Sequence, residues 1–504
     1  MFKQTLLLTL TICAAALLSI SQPAYGQLNE LKLNASDAAA GDDFGWWVSI
    51  SGDYAVIGTR FDDDNGINAG SAYVFKRSGK RWIQETHLLA SDGATGDQFG
   101  RSVSISGDYV VVGARYNDEN GINAGSAYVF KRNDTAWIQE AHLLPLDGAA
   151  NQFFGSSVSI SGDYVLSGAF QDDDNGFFSG SAYVFKRTGE SWAEEAKLLS
   201  SDGVTFDGFG ISVAISGDYA LVGAWGDDDN GSKSGAVYVF KRTGTSWAEE
   251  AKLLPSDGEA NDWFGSSVAI SGDYAIVGAW GDDDNGSSAG SAYLFRRTGT
   301  SWAEEAKLLP SDGAADYFFG FPVSISGEHV VVGAVGDGSG SAYVFKRSGT
   351  SWVQEIKLHA SDGEADDSFG HSVSISDDYV IVGAFADDDH GTDAGSVYIY
   401  TGFTSPVSVG HERAGLPAEF SLFQNYPNPF NPETMIEYAL PEAGEVSLIV
   451  YNLRGEEVAH LINDNMPAGN HRVSWDASKL SSGIYFYRIQ TADFVQTRKM
   501  VLLK

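Results

Sequence analysis

Residues 99–144 read "FGRSVSISGDYVVVGARYNDENGINAGSAYVFKRNDTAWIQEAHLL". Four β-type segments follow one another in this stretch. "FGRSVSIS" alternates apolar and polar residues, the pattern of a strand with one buried face. "YVVVGA" is continuously apolar, "GSAYVFKR" is aromatic and β-branched, and "WIQEAHLL" is amphipathic and charged. In chain order they are strands A, B, C and D. Between A and B stands "SGDY", whose Gly107 can supply the positive φ of a two-residue type II′ hairpin.

Working outward, the Phe-Gly pair recurs at Phe44, Phe99, Phe154, Phe209, Phe264, Phe319 and Phe369, spaced by 55 residues five times and then by 50. Seven units of four antiparallel strands predict an all-β fold, a seven-bladed β-propeller. The ends of the array complement each other. "NELKLNASD" at Asn29 to Asp37 keeps the Glu, Lys, Leu and Asp positions of "EEAKLLPSD" at Glu249 to Asp257, so it reads as a D strand without its own blade. The seventh unit ends at "GSVYIYTG", Gly395 to Gly402, with no D strand after it. Leu28–Leu33 is therefore expected to complete the last blade and hide both loose edges, giving a propeller over residues 27–401.

The 504-residue chain carries a formal charge of -35 with a pI near 4.4. Residues 1–26 hold one charged side chain, Lys3, an apolar run "LLLTLTICAAALL" and the small-residue ending "PAYG", which read as a secretory signal removed before Gln27. Cys13, the only cysteine, lies inside it, so the exported chain is expected to hold its fold without disulfides. No later run approaches the roughly 18 apolar residues of a membrane span. The acidity argues against nucleic acid as a partner.

"FG", "VGA" and "GSAYVF", recurring in order seven times over residues 28–401, resemble the FG-GAP repeats of integrin α-chain-like propellers. In that family calcium sits in an enlarged A–B hairpin of Asp-x-Asp-x-Asp-Gly type. The A–B turns here are the short "SGDY", so the resemblance carries no metal ligands over.

Aspartates cluster instead between B and C, as "DDDNG" or near-copies. The candidate cation ligands are Asp62 and Asp64, Asp172 and Asp174, Asp227 and Asp229, Asp282 and Asp284, and Asp387 and Asp389. Bunched carboxylates repel one another unless solvated or neutralised, which admits weakly bound calcium. Consecutive side chains point different ways, however, and unit six lacks the triplet, reading "GAVGDGSGSAYVF". A solvated Asx or Asn-Gly turn is the alternative. No other cofactor is expected. By strand parity the B–C loops and D-to-A connections share one face. The A–B turns and the basic pairs ending the C strands, such as Lys76/Arg77 and Lys131/Arg132, share the other, predicting an acidic face and a basic rim. Phe61, Tyr116, Phe170, Trp225, Trp280 and Phe385 adjoin the B–C loops, either as packing or as platforms for a glycan or protein ligand. The D-strand tryptophans are expected to pack between blades. No nucleophile-elbow, zinc-protease or phosphate-loop motif occurs, so no enzyme is expected. A hydrolase or lyase built on an unpatterned acidic pair is the enzymatic alternative.

After Thr401 the repeat stops. Residues 402–417 read as a linker, and from 418 onward strand runs separated by Pro, Gly and Asn predict a small β-sandwich. This segment has 7 Lys and Arg against 10 Asp and Glu, so the acidity belongs to the ring. "FQNYPNPFNPETMIEYALP", "VYNLRGEEV", "AGNHRVSWDASKLSSGIYFYR" and "KMVLLK" resemble the type A sorting domain of the type IX secretion system. That resemblance implies export across both membranes of a diderm bacterium, contact with the type IX machinery, and release or surface attachment. The expectation is a secreted or surface-attached, non-catalytic binding or adhesion propeller; a glycan-acting enzyme and a structural surface-layer component are the rivals.

Overall fold

The computed structural model describes residues 28–133, 136–402 and most of 420–503. The expected signal at 1–26 and all but the first residue of the expected linker lie outside the described residues. The chain divides into two units, Met1–Val407 and Ser408–Lys504. The described residues form strands and turns, with no helix among them.

The first unit is seven four-stranded antiparallel sheets. Blade 2 is typical: Phe99–Ser106 (A), Tyr109–Ala114 (B), Ser126–Asn133 (C) and Ala136–Leu143 (D). Ser106 faces Tyr109 across the A–B turn, where Gly107 has φ +58° and Asp108 does not enter the left-handed region, as a type II′ turn requires. In the last blade the N-terminal strand Asn29–Leu33 runs antiparallel to Ser396–Thr401, from Asn29 opposite Thr401 to Leu33 opposite Val397. The ring is thus joined by hydrogen bonds between the two ends of the repeat array.

The repeated motif follows from how blades press together. Phe99 is fully buried, with its ring edge-on to Tyr128 at 5.4 Å and Phe130 at 5.9 Å. Gly100 has φ +91°, and a Cβ there would overlap the Ser71 carbonyl oxygen of blade 1. A Cβ on Gly58 would likewise overlap the carbonyl oxygen of Gly100. The glycines of "FG" and "VGA" therefore sit where backbones of adjacent blades meet too closely for a side chain. At the outer edge Trp137 stands edge-on to Tyr54 of blade 1 at 5.8 Å and donates Nε1–H to Glu85 at 2.9 Å, so the D-strand tryptophans do pack between blades. Nearer the axis Ser49 accepts the Ile105 N–H, and Ser104 the Ile160 N–H, both at 3.2 Å.

The expected basic rim needs correction. Arg77, Arg132, Arg187, Arg242 and Arg297 each pair with the aspartate of their own A–B turn, Asp53, Asp108, Asp163, Asp218 and Asp273. Lys131, Lys186 and Lys241 pair with D-strand glutamates at 3.2–3.3 Å. Strand parity places these cations correctly. It does not reveal that the adjoining turn and strand carry their counter-ions.

In the second unit Glu433–Leu440 and Gly469–Asp476 belong to a three-stranded sheet. Gly444–Asn452, Glu457–Met466, Gly483–Gln490 and Val495–Leu502 form a four-stranded one. Ile436 and Tyr438 of the first share one core with Leu448, Tyr487, Ile489 and Met500 of the second, as in a small sandwich.

Candidate functional site

The aspartate triplets are built into the blades. The first aspartate, Asp62, Asp172, Asp227, Asp282 or Asp387, is at most 4% exposed. Its Oδ1 accepts the N–H of the third, Asp64, Asp174, Asp229, Asp284 or Asp389, at 2.8–3.1 Å, an Asx turn. Its Oδ2 accepts the hydroxyl of a C-strand tyrosine at 2.7–3.1 Å. The middle aspartate accepts an N–H five residues on, as Asp228 does from Lys233 at 2.7 Å.

The counter-charge comes from a D-strand lysine. Lys252 Nζ lies 2.8 Å from Asp227, 2.7 Å from Asp229 and 2.9 Å from Asp202 of the preceding connection. Lys197, Lys307 and Lys32 repeat this on the triplets of blades 3, 5 and 7. Blade 6, short by five residues, keeps the device: Asp337 takes the place of the buried aspartate, with Lys357 2.5 Å from it and 2.6 Å from Asp312. Burial alone would lower these lysine pKa values, but the hydrogen bonds they donate to the aspartates outweigh it and raise them. Asp147, Asp202, Asp257, Asp312 and Asp362 are correspondingly held below the usual carboxylate range, the lysine and tyrosine hydrogen bonds overcoming burial. In four of the five blades with candidate ligands, an ammonium group therefore already bridges the carboxylates. In blade 1 the equivalent residue is His87.

A second arrangement lies at the channel. The N-terminal ends of strands A and C-terminal ends of strands B are paired, as Phe99 with Ala114, and so surround one mouth. The residue after each Phe-Gly pair differs in every blade but two: Trp46, Arg101, Ser156, Ile211, Ser266, Phe321 and His371. The residue after each B strand is Arg60, Arg115, Phe170, Trp225, Trp280, Val335 or Phe385. Trp46, Arg101, Arg115, Phe170, Trp225, Phe321 and His371 line a channel cavity of about 480 Å³. Its aromatic side continues through Trp225, Trp263, Trp280 and Phe318, neighbouring centroids 5.0–5.9 Å apart.

The charged side is asymmetric for a local reason. In blade 1 Asp43, just before Phe-Gly, accepts from Arg60 Nε at 2.6 Å, and that guanidinium lies 3.1 Å over Trp46. In blade 2 the same position is Gln98, so Arg115 loses the equivalent carboxylate and instead donates to Tyr116 Oη at 2.7 Å. Among the described residues neither Arg101 nor Arg115 has an ion-pair partner, and Arg101 Nη1 and Arg115 Nε are buried without a hydrogen bond. Burial, then repulsion from Arg115 and Arg60, pushes the Arg101 pKa down to about 9. His371 is held neutral, its pKa near 3 through burial and the adjacent arginines; its Nδ1 is 3.1 Å from the Trp46 carbonyl oxygen. Two arginines without counter-ions beside aromatic faces suit an anionic ligand with a flat or ring-shaped body.

Of the aromatics noted in the sequence, Phe170 and Trp225 line this cavity, Trp280 stacks on Trp263, and Phe385 packs against the cavity residues Trp46 and His371. Phe61 and Tyr116 stand one position later, beside Arg60 and Arg115. The signals in the sequence for the arginines are two variable positions among constant ones: the residue following each "FG" for Arg101, and the residue following each B strand for Arg60 and Arg115.

The FG-GAP repeat pattern matches residues 28–75, 82–130, 137–185, 192–240, 247–295, 302–345 and 352–400. Residues 424–503 match the secretion system C-terminal sorting domain, which implies interaction with the type IX secretion machinery and a secreted or cell-surface location. No curated protein matches the chain. Solved structures similar to it include PorZ of Porphyromonas gingivalis, described as an essential bacterial surface component of the type-IX secretion system (12% identity, TM-score 0.42, 94% of this chain and 61% of that one). They also include the β-propeller domain of the Trilobed protease from Pyrococcus furiosus (10%, 0.36, 67% and 90%). A third is the PQQ-bound aldose sugar dehydrogenase of Streptomyces coelicolor (8%, 0.36, 74% and 98%). The chain spans less than two thirds of the length of PorZ. With seven matched repeats covering more than half its length, the chain belongs to the FG-GAP repeat family.

Proposed function

We propose that the ring is a non-catalytic binding module that takes an acidic saccharide at the channel mouth, displayed on or released from a diderm bacterium after type IX export. The observation that carries this reading is the pair Arg101 and Arg115, without carboxylate partners, beside the wall formed by Phe170 and Trp225. A guanidinium fork matches a carboxylate in two parallel hydrogen bonds, and aromatic faces suit the apolar face of a sugar ring. A cavity of about 480 Å³ is within the range of small-ligand sites. No Asp or Glu lines this cavity, and its histidine is neutral with one ring nitrogen facing a backbone carbonyl, which supports binding over acid–base chemistry.

Calorimetry of the full chain with an oligogalacturonate and with an uncharged oligogalactoside tests the reading. The acidic sugar is expected to bind, Arg101→Ala and Arg115→Ala to weaken it about tenfold each or more, and Trp225→Ala to weaken it as well. Equal affinity for the neutral sugar, or indifference to both arginine substitutions, would refute it.

A further inference from the structure

Blades 1 and 2 depart from the lysine device. The D-strand lysine of the other five blades is His87 in blade 1 and His142 in blade 2. Both imidazoles stack on the C-strand tyrosine, His87 on Tyr73 at 4.2 Å and His142 on Tyr128 at 4.3 Å, with their planes within 10°. The stacking turns Nδ1 toward the carboxylates that lysine bridges elsewhere. In blade 1 Nδ1 is 3.6 Å from Asp37 and 3.7 Å from Asp64; in blade 2 it is 3.3 Å from Asp92 and 3.2 Å from Glu119.

The 3.6–3.7 Å separations of blade 1 are long for direct hydrogen bonds, and the 3.2–3.3 Å separations of blade 2 match the spacing of ligands sharing an ion. Two donors each about 2.0–2.1 Å from a tetrahedral zinc stand about 3.3 Å apart. In each blade one imidazole nitrogen and two carboxylate oxygens lie within 4.8 Å of one another. The sister blades supply an independent observation: at the same three positions of the connection, loop and D strand they hold a cationic ammonium 2.5–3.0 Å from carboxylates. The pocket is thus built around a positively charged centre.

We infer that His87 with Asp37 and Asp64, and His142 with Asp92 and Glu119, are two binding sites for a divalent transition ion of the zinc class. The nitrogen donor selects such an ion over calcium, which prefers an all-oxygen shell of six to eight ligands. The four carboxylates are about half exposed, so water can fill the remaining coordination positions. The ion does for blades 1 and 2 what lysine does for the others, tying the incoming connection to the B–C loop and strand D. This inference is independent of the channel-mouth reading.

The test is calorimetric titration of untagged, chelator-treated full chain with zinc chloride at neutral pH, in calcium excess. Two saturable equivalents are expected. His87→Lys and His142→Lys, which install the residue the fold already accommodates at these positions, are each expected to remove one equivalent with the melting temperature maintained. Lys252→His, placing an imidazole beside Asp202 and Asp229, is expected to add a third. Absence of saturable uptake, uptake that calcium competes away, or uptake that survives both histidine substitutions would overturn the inference.

Discussion

Replacing Lys252 by Met retains most of the side-chain stem and removes the charge that holds three carboxylates. Asp202 and Asp229 are about half exposed, and the loss of each exposed pair costs at most about 1 kcal/mol. Asp227 decides the outcome. It is 4% exposed and loses its cation, retaining only the Tyr238 hydroxyl at 2.9 Å and the Asp229 N–H at 3.1 Å as side-chain partners. Stranding a buried charge costs about 3–5 kcal/mol, and two remaining donors reduce that to about 2–3 kcal/mol. In a chain this long 1 kcal/mol corresponds to about 1–2 °C in melting temperature, so a fall of about 3–5 °C is expected by calorimetry. The double variant Lys252→Met/Asp227→Asn removes both charges and is expected to melt about 2 °C above Lys252→Met alone. An unchanged melting temperature in the single variant, or strict additivity in the double, would show that the lysine is merely a surface charge.

Deleting residues 28–35 strips the outer strand from the last blade and is expected to give aggregation or a melting temperature lower by several degrees, read by light scattering and calorimetry. Asp207, buried and near Asp227, has its pKa raised to about 6, first by desolvation. The folded state therefore binds its proton more tightly than the unfolded chain, and stability from this group falls as pH rises from about 4 to 6. Asp207→Asn should raise the melting temperature by about 1–3 °C at pH 7.5 and leave it unchanged at pH 4. Deleting residues 424–503 is expected to leave the protein in the periplasm, checked by fractionation; normal surface delivery would contradict the export reading.

The ring was legible because its period is long, constant and repeated seven times, and because "NELKLNASD" matches a D strand far away in sequence. The lysine device was not, although Lys197, Lys252 and Lys307 recur at one position. Knowing that Lys252 faces Tyr238 requires the strand register, with a bulge two residues on between Val239 and Phe240. Unit six misled for a related reason, since Asp337 does the work of a triplet without resembling one. The channel mouth was the least legible, because repeats draw attention to what is constant. Gln98 in place of Asp43 is a single difference in a 55-residue unit, and its effect is felt on Arg115, seventeen residues later in the chain.

The strand Ser396–Thr401 is the last of the ring before the segment that leads to the sorting domain, so tension applied through that segment enters the propeller there. It is flanked on one side by Tyr379–Ala384 and on the other by Asn29–Leu33. An outermost strand under tension can be peeled away along one ladder, one pair of hydrogen bonds after another. With the N-terminal strand in place the pulled strand is held along both edges, and both ladders must yield together. The piece of chain that closes the circle is thus also the clamp over the point where a tether would pull.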